Sequence, residues 1–324
     1  FQKIMYLATP FLPFREPKLL DDILSIIDVL KEKKIDSVIL VTGKRIRSSG
    51  LTLPLENALK DNNIVCTIYD STLPNPTSGN VYETKELYLE NNCKGIIAFG
   101  GGSVMDCAKA LGALIARPKM TLKKMQGLIK IRKKLPTLIA IPTTAGSGSE
   151  TTVAAVIVDS MTHHKYVIND FCLIPEYAVM MPSVTISLPQ HITAITGMDA
   201  LTHAIEAYIG QSKTRKTKKA SEEAVKLILK NLKTAYDDGE NLEARKNMLY
   251  AATSILRGRA VGVVVNVGAD TEIGKIATLM EETQEKKTPL QVSLDDFSKK
   301  LAFIILAICV VVFGLSLYRD MPVL

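Results

Sequence analysis

A short run of β-branched apolar residues, a glycine or polar turn and a helical stretch follow one another repeatedly through the first half of this chain, and that alternation limits the fold more than any other feature. The runs are Ser37–Thr42 (SVILVT), Ile64–Tyr69 (IVCTIY), Gly95–Phe99 (GIIAF) and Thr137–Ile141 (TLIAI). Strands that are apolar on both faces need cover on both faces, and helices between them supply it. Helical spacing predicts those helices over Pro17–Lys34, Leu53–Asp61, Val81–Asn91 and Ser103–Ala116. The expected fold is a doubly wound α/β domain over residues 1–188, whose ligands collect at the carboxyl ends of parallel strands.

From about Pro189 the strand signals stop, and helical spacing over Ile192–Ile209 and Ser221–Tyr236 predicts a mostly helical second domain, residues 189–254. Near Ile255 the character changes again. RAVGVVVNVG is strand-like, EETQEKKTP is a charged linker, and Leu301–Tyr318 is a stretch of 18 nearly all apolar residues. As a helix that stretch would span roughly 27 Å, close to a bilayer core of about 30 Å. With Lys299, Lys300 and Arg319 at its ends, it reads as a transmembrane segment giving membrane contact over 301–318, the other reading being a buried core helix.

The 324 residues are 47% hydrophobic, enough to give each domain a core. The formal charge of +7 lies largely in two runs, Lys119–Lys134 and Lys213–Lys219. No aromatic residues interleave with them in a stacking pattern, so they read as solvated surface and no nucleic-acid partner is expected. Five widely spaced cysteines without a CxxC pair point to a reducing, cytoplasmic setting for the folded part. The opening FQKIMYLATPFLPF lacks the charged, apolar and small-residue order of a signal peptide and reads as a fragment start.

Three motifs carry chemistry. GGGSVMDCAK begins at Gly100, where the GIIAF strand ends and a helix opens. Glycines there let backbone N–H groups approach a pyrophosphate above a helix N-terminus, although a tight strand-to-helix turn would also use them. The next strand ends in PTTAGSGSE, where Thr143, Thr144 and Ser147 offer hydroxyls to a ribose, a phosphate or a carboxamide. Two such turns at adjacent strand ends make one dinucleotide cleft. Finally, GMDALTHAIEAY puts Asp199 and His203 one helical turn apart on one face, which is half of a metal site. Taken singly, Asp199 could be a helix cap and His203 a satisfied buried histidine.

In this order and spacing, the three motifs resemble the iron-containing alcohol dehydrogenase family over about residues 10–254. The resemblance implies a Rossmann-like nucleotide domain followed by a helical, dehydroquinate synthase-like domain, truncated here, with NAD(P) and a metal, Fe(II) or Zn(II), between them. It also implies a small alcohol or aldehyde substrate and a homo-oligomer. Carried over residue by residue, Gly100, Gly101, Gly102, Ser103 and Asp106 would face the pyrophosphate. Thr143, Thr144, Ser147, Thr152 and Lys165 would line the nicotinamide side, with Asn75 and Gly43 near the adenosine. Asp199 and His203 would be metal ligands, acting in catalysis through the metal. Where many NAD-using members carry an acidic residue after the SVILVT-type strand, this chain has Lys44 and Arg45 after Gly43, which favours NADP over NAD. Met181 replaces the family's aspartate in MMPS.

The family's helical domain supplies two further ligand histidines downstream. This chain has four histidines, His163, His164, His191 and His203, and none follows residue 203, so the implied metal site is incomplete and the activity impaired. From about Gly258 the sequence, through VGADTEIGKI and KKTPLQ, resembles instead part of a P-type cation ATPase, without that pump's DKTGT and TGE sequences. The chain therefore resembles a fusion joined near Ser254, with 255–324 as its ATPase-like segment. A non-catalytic NAD(P)-binding module and a membrane-tethered pump fragment are the alternative readings.

Overall fold

A computed structural model describes residues 15–209 and 215–255. The order of elements is β1 (Lys18–Leu20), α1 (Ile23–Glu32), β2 (Ser37–Val41), α2 (Lys44–Ser48), α3 (Leu53–Asp61), β3 (Val65–Tyr69), α4 (Ser78–Glu90), β4 (Gly95–Gly100), α5 (Gly102–Ala116), α6 (Leu122–Met125), β5 (Gly127–Leu128), β6 (Thr137–Pro142), β7 (Ala154–Val158), β8 (Lys165–Asn169), β9 (Tyr177–Val179), α7 (Gln190–Ile209), α8 (Arg215–Asp237) and α9 (Leu242–Ile255).

Six strands form one sheet in the order β1-β9-β6-β4-β2-β3, and every pairing in it is parallel. Each central strand sends alternate side chains to opposite faces. Ile39, Val41, Ile96, Ala98, Leu138 and Ala140 enter a core roofed by α4 and α5. Their neighbours Val38, Leu40, Ile97, Phe99, Ile139 and Ile141 enter a second core beneath α1 and α3. Burial on both faces is what the unbroken apolar runs demand. The chain leaves β2 for β3 on one side and leaves β4 for β6 on the other, so the crevice of the doubly wound sheet opens between the carboxyl ends of β2 and β4. Thr42, buried at the end of β2, bridges that point by donating from Oγ1 to the Phe99 carbonyl at 2.8 Å.

The helix expected over Pro17–Lys34 is shorter and preceded by a strand. Lys18–Leu20 pairs in parallel with Tyr177–Val179 as an edge strand. Asp22 then starts α1 as its N-cap, accepting from the Ser25 N–H at 2.8 Å. A three-stranded sheet, β5-β8-β7, was without an expected counterpart; its β7–β8 hairpin turns Ala155, Ile157, Tyr166 and Ile168 onto the α5 side of the main core.

The helices α7, α8 and α9 pack on one another around Ala200, Ala204, Ala207, Ala224, Ile228, Met248 and Leu249, and the same cluster takes in Ala145, Ala178 and Met180 of the α/β part. Small residues bring the axes close: a Cβ on Gly197 would lie 2.3 Å from Leu232 Cδ1. Arg245 of α9 is buried and donates to the Gly239 carbonyl at 2.9 Å and to Thr193 Oγ1 of α7 at 2.8 Å. Among the described residues no helix is long and apolar enough to cross a membrane. The strand-like run, the linker and the apolar stretch 301–318, expected from the sequence to form an ATPase-like segment, lie outside the described residues.

Phe99 fills the centre of the α1–α3 core with no exposed surface. Phe99→Ala is expected to lower the unfolding free energy by about 3–5 kcal/mol, read as a shifted urea midpoint.

Candidate functional site

The glycine turn is shaped by what a side chain would strike. A Cβ on Gly100 would sit 2.6 Å from Val104 Cγ2, and Cβ atoms on Gly101 and Gly102 would sit 3.2 Å from Thr144 Cγ2 and 3.3 Å from Ser147 Cβ. Glycine at 101 and 102 lets the Thr144 and Ser147 side chains of the second turn approach the first closely, while Gly100 makes room for Val104 of α5. The Thr143 N–H closes the junction by donating to the Gly100 carbonyl at 3.1 Å. Gly101 caps α5 without a side-chain hydrogen bond; the Val104 N–H donates to the Gly101 carbonyl at 3.1 Å, and the Gly102 and Ser103 amides of this 15-residue helix keep their donor capacity for an anion.

Around this cradle the carboxyl ends of the other strands add polar groups. Asn75, held in the left-handed region at φ 58°, donates its N–H to Ser103 Oγ at 3.2 Å. Its Oδ1 accepts from Lys165 Nζ at 3.0 Å, so three residues expected around the cofactor meet at one point. Gly43 is the N-cap of α2, and Lys44 and Arg45 behind it are exposed. Thr144 and Ser147 face the glycine turn, and Thr143 is buried beside it.

Two residues expected at the cofactor also have protein partners. Half-buried Asp106 accepts through Oδ1 from Ser149 Oγ at 3.0 Å and through Oδ2 from the Val156 N–H at 3.1 Å. Thr152 Oγ1 accepts from Lys109 Nζ at 2.6 Å. Asp106 borders two buried ionisable side chains beneath the turns, Lys109 and Glu150, to which the sequence motifs assigned no role. Lys109 is wholly buried, and burial pushes its ammonium down to about 8 against the opposing pull of the Asp106 and Glu150 charges. Burial pushes both of those carboxyls up. Glu150 Oε1 accepts from Thr253 Oγ1 of α9 at 2.7 Å, while Oε2 is buried without a hydrogen bond. Lys109 and Glu150 end the GGGSVMDCAK and PTTAGSGSE motifs; the i, i+3 spacing of Asp106 and Lys109 was the one available sign that they act together.

Asp199 and His203 sit on α7 as their spacing requires, half exposed, with His203 Nε2 3.7 Å from Asp199 Oδ1. A carboxylate and an imidazole suit Fe(II) or Zn(II), but a stable site takes about three or four protein ligands. Among the described residues no group of three or more His, Cys, Asp and Glu side chains comes together. His163 and His164 lie at the exposed β7–β8 turn, and His191 is exposed in the first turn of α7. The residues present therefore fit the nucleotide and only part of a metal's ligand set. The two halves are close: a Cβ on Gly146 would sit 2.0 Å from the carbonyl oxygen of Thr196, three residues before Asp199.

The raised Glu150 pKa has a definite sign. Between glutamate's ordinary value and the raised one, the folded chain keeps a proton that the unfolded chain has released, so stability is greatest below the ordinary value and falls as pH rises through the folded one. Glu150→Gln removes that dependence. Its melting temperature relative to the wild type should climb by about 2 °C or more from about pH 5 to about pH 8. A pH-independent difference would contradict the assignment.

Comparison with known proteins matches this geometry. The model for iron-containing alcohol dehydrogenase covers residues 20–182, half of the chain, and the model for the C-terminal region of that family covers residues 193–267. The second match runs past Ser254 and overlaps the start of the segment read as ATPase-like. A probable alcohol dehydrogenase, EutG, of Salmonella typhimurium is 40% identical over 207 residues, 64% of this chain and 52% of the relative, so the chain spans about half the length of that protein. A crystal structure of 1,3-propanediol oxidoreductase superposes with a TM-score of 0.72 at 32% identity, over 76% of this chain and 66% of the other. The sulfoacetaldehyde reductase of Bifidobacterium kashiwanohense, crystallised with NAD+, gives 0.67 at 29% identity, over 76% and 68%. With the cradle, the half-site and both family models in register, the chain belongs to the iron-containing alcohol dehydrogenase family.

Proposed function

We propose that this chain binds a nicotinamide dinucleotide, NADP in preference to NAD, in the crevice between β2 and β4, for hydride transfer between that cofactor and a small alcohol or aldehyde. The observation that carries this reading is the close approach of the glycine turn and the hydroxyl turn at neighbouring strand ends, where a Cβ on Gly101 or Gly102 would crowd Thr144 or Ser147. There, the free amides of α5 are suited to the pyrophosphate, and Thr144 and Ser147 to the nicotinamide side. Asn75 would close the adenosine side, Lys165, bonded to it, would reach the nicotinamide side, and the exposed cations Lys44 and Arg45 suit a 2′-phosphate. When bound by Asp199, His203 and further ligands, a metal would polarise the alcohol oxygen as a Lewis acid.

Within these 324 residues no histidine follows His203, so we read the metal-dependent half of the chemistry as impaired. A non-catalytic NAD(P)-binding module is the second reading, favoured by the half-exposed Asp199 and His203. Equilibrium dialysis separates the two: stoichiometric iron or zinc, lost in Asp199→Ala, supports the enzyme, whereas nucleotide binding without metal supports the module.

The cofactor preference has its own test. In fluorescence titrations NADPH should bind more tightly than NADH, and Lys44→Glu with Arg45→Glu should weaken NADPH about tenfold or more while leaving NADH nearly unchanged. Equal losses for both nucleotides would refute the assignment of these cations to the 2′-phosphate.

A further inference from the structure

We propose that Lys109 is a positioning residue of the nucleotide site: with Asp106 it clamps the hydroxyl turn from below in the shape that receives the cofactor. The proposal rests on the reading of that turn as a cofactor cradle. It does not require Lys109 to touch a ligand.

The geometry is a hub. Lys109 Nζ lies within hydrogen-bonding distance of Thr152 Oγ1 at 2.6 Å, the Ala154 carbonyl at 2.9 Å, the Thr152 carbonyl at 3.0 Å and Ser149 Oγ at 3.3 Å. Four acceptors thus gather around an ammonium with three protons. Ser149 Oγ passes the link on to Asp106 Oδ1, and Asp106 Oδ2 holds the Val156 N–H. Asp106 and Lys109 both stand on α5, the helix that the glycine turn opens. One rigid helix therefore carries the first turn at its tip and grips the segment 149–156 by two side chains along its flank.

A buried ammonium is costly unless its protons are satisfied, so a packing of the segment that withdraws these acceptors from Lys109 is disfavoured. The surface of Lys109 is closed to solvent, and the turn above it is rich in glycine and small residues, with Gly148 at φ 55°. Such a turn has many backbone conformations open to it. The clamp selects one of them before a ligand arrives, and binding then loses less to ordering.

The charged groups facing Lys109 are Asp106 on its own helix and Glu150 on the turn; Lys165 of β8 acts on Asp106. If the ammonium form is the one that holds the turn, wild-type affinity for NADPH should weaken as pH rises past about 8, where Lys109 loses its proton. Lys109→Met should lack that slope. A residue that merely fills space would leave the slope in place.

The test uses the full chain. Amide hydrogen exchange is followed over residues 143–156 and 190–209 without nucleotide, and NADPH titrations are run from about pH 6.5 to about pH 9.5. In Lys109→Met the first segment should lose protection while the second keeps it, and NADPH should bind about tenfold more weakly at neutral pH. Thr152→Val, which removes one acceptor and leaves the charge, should give a smaller loss in the same segment. It serves as the deciding variant where Lys109→Met does not fold. Unchanged exchange over 143–156 in the folded variant overturns the proposal. Selective loss of protection in a protein whose wild type binds neither NADPH nor NADH would uphold the clamp and refute the cofactor reading instead.

Discussion

The contact on which the site depends is the one between two backbone turns with nothing between them. Gly100, Gly101 and Gly102 occupy the space where Cβ atoms would meet Val104, Thr144 and Ser147. Because they have none, the loop after β6 settles onto the loop after β4, and the two present amides and hydroxyls to one volume. The parallel sheet brings these loops to neighbouring strand ends, and its change of winding direction between β2 and β4 keeps the crevice open. A fold of this kind supplies such a crevice whatever the loops contain; the loops decide what can occupy it.

Beneath that contact lie two buried ionisable side chains, Lys109 and Glu150, and the half-buried Asp106, and their arrangement distinguishes their roles. Lys109 has every direction filled with acceptors, whereas Glu150 has one oxygen held by Thr253 and the other without a partner. The first is a satisfied hub and the second an under-satisfied bridge between the hydroxyl turn and α9. Asp106 lies between them in character, half-buried and accepting from both a hydroxyl and an amide. Such a network stiffens the turns above it, since a rearrangement would strip Lys109 of its acceptors.

Much of the fold could be read from local pattern because the central strands are apolar on both faces, and β2, β3, β4 and β6 fall on the four expected runs. What escaped was short or marginal. The edge strand Lys18–Leu20 is three residues long and shares its apolar spacing with the helix behind it. The hairpin β7–β8 buries only alternate residues of five-residue strands, and α9 has a weak apolar face. At the site, motif order located the two turns and the Asp199–His203 pair, since both depend on spacing along one element. It did not display the protein partners of Asp106 and Thr152: Ser149 Oγ donates to Asp106, and Lys109 to Thr152, across more than forty residues of sequence.

Helix α7 ties the nucleotide half to the metal half without any ligand taking part. The Thr196 carbonyl lies where a Cβ on Gly146 would be, so the hydroxyl turn rests on the backbone of α7 less than one turn from Asp199. Gly197, one residue later, lets α8 press on the same helix through Leu232. Two adjacent residues of α7 therefore meet the hydroxyl turn and the helical core at close range. The distance from the cradle to Asp199 and His203 is set by backbone packing, and it is established before a metal or a substrate could contribute to it.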